Sequence, residues 1–330
     1  MEQIALGTTG RHTTRLGFGC ANLMGATGRR DSLKLLEAAY DAGIRHFDVA
    51  ARYGYGAAES CLGEFLQRHR GQVTVTTKYG TLPVKRTALI SLGRRIVGPV
   101  VKKLPGLKQR LAPAANKATR NPERPSYTAA QAKTFLDRSL AALRTDHIDL
   151  WLLHEASASD LQDDALLRLL EDLVQQGIIG SFGVGSSADK VPALLAERPA
   201  YCRSLQYEWS VLDAPIQTTE LFRIHHRALT SNFLSIHTAL INNKSLCKRW
   251  SASTNSDLSN PEALAALMLK ASLVMNPGSV ILFSSKNPQH IQANVRTAAD
   301  PALELPARQL HHLVQSESDQ LPIPLHPPQQ

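Results

Sequence analysis

The sequence predicts an α/β fold: a (β/α)8, or TIM, barrel with an N-terminal β-hairpin and a basic helical insertion after the third strand. Three observations predict it. Short apolar segments alternate with amphipathic helical ones through roughly eight units, the pattern of a parallel sheet covered by helices. At 330 residues the chain suits one large α/β barrel or two smaller domains, and eight such units in a chain of this size argue for the closed barrel. The competing open, doubly wound sheet lacks its signature, because Gly17-Phe18-Gly19 does not lead into a helix carrying the third glycine of G-x-G-x-x-G.

Taken in order, residues 3–19 read as a hairpin turning at Thr8-Thr9-Gly10 and leading into a first strand over 14–19. Asp31 is read as the cap of a helix that Gly43 ends. A strand over 44–47 breaks at Asp48 into a loop with two tyrosines, Tyr53 and Tyr55, and a helix follows from about 57 to 69. The β-branched run 73–77 is a strand with Lys78 at its end. After the insertion, about 81–127, come a helix to about 143 and a strand over 148–153 ending in His154. The alternation continues with a helix at 161–176, a strand at 178–184, a helix at 190–196 and a strand at 204–206. A helix at 218–227, a strand at 233–237, a helix at 261–275, a strand at 279–283 and a helix at 288–299 complete the barrel. Residues 1–303 are thus assigned to the barrel, and 304–330, ending in Pro322, Pro324, Pro327 and Pro328, to a frayed C-terminal tail.

Composition narrows the class. Hydrophobic residues make up 43% of the chain, as in globular proteins, and no apolar run reaches membrane-spanning length. The first residues lack the basic and apolar regions of a secretory signal. Cys20, Cys61, Cys202 and Cys247 are widely spaced, with no C-x-x-C pair, which argues against zinc or a disulfide framework and for the cytoplasm. The net charge of +9 is concentrated: residues 85–124 hold eleven Lys or Arg against Glu123, or +10, leaving about −1 elsewhere.

Barrel strands deliver their C-terminal ends to one face, where chemistry is done. Asp48 and Tyr53 after the second strand, Lys78 after the third and His154 after the fourth fall there. Each alone would be read as a loop cap, a solvated strand end or a core histidine; together they form a constellation. Glu59 opens a helix, where capping or packing is the simpler role.

The motifs D-V-A-A-R-Y-G with E-S-x-L-G, then T-K-Y-G, then D-H-I-D-L-W-L-L-H, resemble those of the aldo-keto reductase family, as do L-G-T-T-G, L-G-F-G-C, G-I-I-G-S-F-G-V and L-Q-Y-E-W-S-V-L-D. The resemblance covers about residues 3–299 outside the insertion. It implies an NAD(P)H-dependent oxidoreductase interconverting an aldehyde, ketone or sugar carbonyl and its alcohol. It selects Tyr53 over Tyr55 as proton donor, with Tyr55 as a pocket wall. Lys78 is expected to lower the Tyr53 pKa from about 10, Asp48 to hold Lys78, and His154 to hydrogen-bond the substrate oxygen. On the cofactor side the resemblance implies Gln206 and Ser186 at the nicotinamide, His237 stacking on it after the seventh strand, and Ser284, Ser285, Lys286, His290 and Asn294 at the phosphate and adenine end. Gly185-Ser186 replaces the family's Ser-Asn, and His290 replaces a frequent arginine. NADP(H) is favoured through Lys286, with NAD(H) left open. A cofactor-binding barrel without catalysis, acting as a sensor or subunit, is the alternative.

The insertion combines its charge with apolar residues such as Leu89, Ile96, Val100 and Leu104 at roughly helical spacing. Three readings stay open: a lid on the pocket, a peripheral membrane contact, and a solvated appendage. No aromatic residue lies between Thr81 and Ser126, so nucleic acid is not expected as a partner. The expected partner is a small carbonyl compound, and the sequence leaves the oligomeric state open.

Overall fold

The structure, a computed structural model, describes residues 1–25, 27–81, 126–214 and 221–321. Ten strands are present among these residues. β1 (Gln3–Ala5) and β2 (His12–Thr14) form the antiparallel hairpin. β3 (Leu16–Gly19), β4 (His46–Asp48), β5 (Thr74–Tyr79), β6 (Ile148–His154), β7 (Ile179–Gly185), β8 (Ser204–Glu208), β9 (Phe222–His226) and β10 (Val280–Phe283) run parallel and close on themselves, β10 pairing with both β9 and β3. The predicted barrel and hairpin are therefore both present.

Helices cover the barrel. They are α1 (Arg29–Asp41), α2 (Ala58–His69), α3 (Ala129–Leu143), α4 (Asp164–Gln175), α5 (Val191–Glu197), α6 (Thr230–Asn242), α7 (Lys244–Thr254), α8 (Pro261–Met275), α9 (Pro288–Ala299) and α10 (Glu304–Ser316). Gly28, not Asp31, is the N-cap of α1; Asp31 sits in its first turn, where a negative charge suits the helix dipole. Thr128, Asp163, Asn260 and Asn287 cap α3, α4, α8 and α9 with side-chain oxygens.

Strand periodicity sets what faces inward. In β5, Thr74 and Thr76 bond the buried ring of His46 inside the barrel, at 3.1 and 3.3 Å, and Lys78 continues that face. Thr77 and Tyr79 face the helices, Thr77 donating to buried Glu59 of α2 at 2.6 Å and Tyr79 packing on Phe135 and Trp151. Glu59 is thus a packing residue, as expected, and burial raises its carboxyl pKa. Leu6 from the hairpin loop joins Leu150, Leu152, Ile224 and Leu282 to fill the barrel floor.

Two expectations are corrected. The seventh strand is β9, inside the span read as a helix at 218–227, and the span read as a strand at 233–237 lies within α6. Phe222 and Ile224 alternate toward the barrel interior, but His225 behind them is buried and uncharged, its pKa pressed to about 3 by burial, so it packs as an apolar residue would. Counted as polar, it hid the strand. Ile236, Ala239 and Leu240 bury one face of α6 at helical spacing. The second correction concerns 304–330. Residues 304–316 form α10, whose Ala307, Leu310 and Val314 join Trp250, Leu264 and Met268 in a core cluster, while Gln315 donates to Val211 O at 2.8 Å. The prolines from 322 onward, and the insertion apart from Thr81, Ser126 and Tyr127, lie outside the described residues.

Leu310 is fully buried. Leu310→Ala should destabilise the protein by about 2–5 kcal/mol in urea unfolding, as large-to-small core changes do; a loss under about 0.5 kcal/mol would mean that α10 is a loosely attached tail after all.

Candidate active site

The register of the parallel strands assembles the site. Asp48 pairs with Thr76, Lys78 with Leu152, His154 with Gly185, and Gly185 with Gln206. Each strand is offset from the last, so the inward residue at its C-terminal end rises to one rim. Asp48, Tyr53, Lys78 and His154 line a single open cleft of about 930 Å³ at that rim.

Asp48 and Lys78 are both buried, and Lys78 Nζ lies 2.5 Å from Asp48 Oδ1. The ammonium also donates to Val49 O at 3.0 Å. Gln206 Nε2 donates to the second carboxylate oxygen at 2.8 Å, so both oxygens of Asp48 are held. Burial acts against the charged lysine, but the Asp48 charge, then Tyr53 and the hydrogen bond to Asp48, outweigh it and raise its pKa above the ordinary value. Lys78 therefore carries a fixed positive charge, 5.4 Å from the centre of the Tyr53 ring.

Tyr53 opens a short 3-10 turn, Tyr53–Gly56, in which Gly54 and Tyr55 both take φ of 58°. A Cβ at Gly54 would meet Leu23 O at 2.5 Å, so the turn requires glycine there. Lys78 was expected to lower the Tyr53 pKa. The direction is the reverse: burial raises it, Lys78 opposes and Asp48 adds. Burial outweighs the ammonium because the phenolate loses more hydration than the charge several ångströms away restores. Tyr53 thus stands as a protonated phenol, the donor form. Tyr55 is not among the residues lining the cleft, contrary to its expected place as a wall.

His154 faces Tyr53 edge to face, ring centres 6.2 Å apart. Burial, then the charges of Lys78 and Arg52 and the neighbouring His226, hold its pKa well below the usual value, so the imidazole is neutral. Its Nδ1 is 2.8 Å from Thr81 Oγ1, and its carbonyl accepts from the Tyr127 hydroxyl. At the mouth, Arg52 pairs with Glu155 at 3.2 Å.

Of the residues expected at the cofactor, Ser186, Gln206, Ser284 and Asn294 line the cleft. Ser186 Oγ donates to Ala156 O at 2.7 Å and Ser284 Oγ to Gly19 O at 2.6 Å. Ser285 shares hydrogen bonds with Asn287 in the turn entering α9; it, Lys286 and His290 lie outside the cleft lining, the last two exposed. His237 does not fit. It lies on α6, stacked on Phe233 and 3.1 Å from Ser259 O, away from the cleft. The end of β9 is His226, which lines the cleft beside Glu208. His226, Thr81 and Tyr127 are the positions that sequence reasoning missed. The alternation of Phe222 and Ile224 was the signal available for His226; Thr81 and Tyr127 sat unmarked at the edges of the basic segment.

A model of the aldo/keto reductase family matches residues 15–315. The chain belongs to this family. Pyridoxal 4-dehydrogenase of Microbacterium luteolum is 31% identical over 227 residues, which cover 64% of this chain and 64% of that protein. D-threo-aldose 1-dehydrogenase of a Pseudomonas species is 29% identical over 218 residues, covering 62% of this chain and 60% of that protein. The chain thus matches less than two thirds of the length of these family relatives. The crystal structure of an aldo-keto reductase from Klebsiella pneumoniae in complex with NADPH superposes with a TM-score of 0.62 at 16% identity, covering 100% of this chain and 97% of that one, which establishes the shared fold of the family.

Because folded His154 refuses a proton that the unfolded chain accepts below about pH 6.5, unfolding gains on folding as pH falls through that value. His154→Gln should therefore reduce the loss of stability between about pH 6.5 and 5 by up to about 1.4 kcal/mol per pH unit in denaturant melts. An unchanged slope would mean that the folded imidazole takes up the proton.

Proposed function

We propose that this chain is an NAD(P)H-dependent oxidoreductase that interconverts an aldehyde, ketone or sugar carbonyl and its alcohol. The observation that carries this reading is the buried Asp48–Lys78 pair set against Tyr53 and His154 in one cleft.

The cleft fits a nicotinamide dinucleotide. It runs from the four residues to Ser284, just before α9, and to Asn294 within that helix; hydroxyl groups and a helix N-terminus suit a phosphate. Gly185 leaves room on the nicotinamide side: a Cβ there would stand 3.4 Å from Gln206 Oε1. Gln206, Ser186 and His226 would hold the nicotinamide end, and Ser284, Ser285, Lys286, His290 and Asn294 the phosphate and adenine end. When bound, the reduced nicotinamide supplies hydride to the carbonyl carbon.

The protein's own part is the oxygen. As hydride reaches carbon, negative charge grows on the carbonyl oxygen, and the Tyr53 hydroxyl gives it a proton. Lys78 stabilises the phenolate left behind, and Asp48, locked by Gln206, keeps Lys78 in place. His154, neutral, donates a hydrogen bond to the same oxygen. In oxidation Tyr53 takes the proton back. NADP(H) is the preferred cofactor in this reading because exposed Lys286 flanks the phosphate end. Free cysteines throughout agree with a cytoplasmic setting.

The names of the relatives suggest a panel that includes pyridoxal and aldoses, followed at 340 nm in both directions with each cofactor. Turnover should be measurable, and Tyr53→Phe should lower kcat about 10²–10⁴-fold. Undiminished turnover in that variant would overturn the mechanism, cofactor binding without turnover of any carbonyl would favour the non-catalytic barrel, and equal kcat/KM with NADH would overturn the NADP(H) preference.

A further inference from the structure

A neutral histidine carries one proton on two nitrogens, and only one tautomer is useful here. To donate to a carbonyl oxygen, His154 must hold its proton on the nitrogen facing the cleft; the other tautomer would present a lone pair to that oxygen. What decides between them is on the buried side of the ring. Nδ1 has one partner among the described residues, Thr81 Oγ1, at 2.8 Å. Thr81 is itself buried, and no other acceptor for its hydroxyl is found among the described residues. If Nδ1 carried the proton and donated to Thr81, the hydroxyl hydrogen would be left buried without an acceptor among the described residues, an unfavourable state. If Thr81 donates to Nδ1, both groups are satisfied and Nε2 carries the proton.

We propose, on the functional reading above, that Thr81 is a positioning residue that fixes His154 as the Nε2–H tautomer. The backbone is arranged for this contact. Gly80, at φ of 130°, turns the chain at the end of β5, and a Cβ there would come within 2.5 Å of Tyr127 OH and 2.7 Å of His154 O. Glycine thus lets the Tyr127 hydroxyl reach the His154 carbonyl. The histidine is held by its carbonyl from one side and by Nδ1 from the other, through residues at the two edges of the basic segment. Neither residue touches the reacting atoms; they act through His154.

The test reads the tautomer directly. Long-range proton–nitrogen NMR spectra of the ¹⁵N-histidine-labelled full-length protein, with His154 assigned by its absence in His154→Gln, should show the Nε2–H form in the wild type. Thr81→Val should populate the Nδ1–H form and lower kcat about 10–100-fold with a smaller change in KM, as expected when a donor to the developing charge is lost. Thr81→Ser, which keeps the hydroxyl, should restore the Nε2–H signal and bring kcat within about threefold of wild type. An Nδ1–H signal in the wild type, or an unchanged tautomer in folded Thr81→Val, overturns the proposal. The wild-type and Thr81→Ser spectra require no turnover, so the assignment of the tautomer stands or falls separately from the oxidoreductase reading.

Discussion

The site depends on one buried ion pair. Asp48 and Lys78 stand 2.5 Å apart on neighbouring strands, both removed from water. Neither charge could be kept there alone, since an unpaired buried charge costs several kcal/mol. Together, with Val49 O and Gln206 Nε2 completing the hydrogen bonds, they hold a permanent positive charge beneath the Tyr53 ring. The same charge helps to keep His154 neutral. One pair thereby sets the electrostatic conditions of both other members of the site: it opposes the burial that keeps Tyr53 protonated, and it discourages a second cation across the cleft.

Gln206 links this pair to the Gly185 side of the cleft. Its amide nitrogen is engaged by Asp48, while its oxygen lies 3.4 Å from where a Cβ on Gly185 would stand. A residue read from the sequence as a cofactor contact thus anchors the Asp48 carboxylate. Moving Gln206 would disturb Asp48 and, through it, Lys78.

The barrel and the four residues that meet in the cleft were legible because period-two strands and their ends are local patterns. Val75 and Thr77 mark β5 and leave Lys78 facing inward; the apolar run through Leu153 marks β6 and ends at His154. The seventh strand was not legible. His225 and His226 read as polar, but one is buried and uncharged beside Tyr207 and Trp209, which only the folded environment reveals. The displaced strand carried the nicotinamide-stacking assignment to His237 with it. Residues 304–316 looked like part of a tail because the prolines beyond them dominate the composition, whereas Leu310 and Val314 find their partners in α7 and α8.

The sequence by itself determined the strand–helix alternation outside the seventh unit, the polar residues at three strand ends with the loop tyrosine, and the localised positive charge, since each is written in spacing and residue type. Tertiary structure decided what those residues do to one another. The direction of the Tyr53 pKa depended on how burial weighed against Lys78. The partner of His154 Nδ1 depended on the turn at Gly80. Both follow from desolvation and from distances between residues far apart in the chain, quantities that no local pattern encodes.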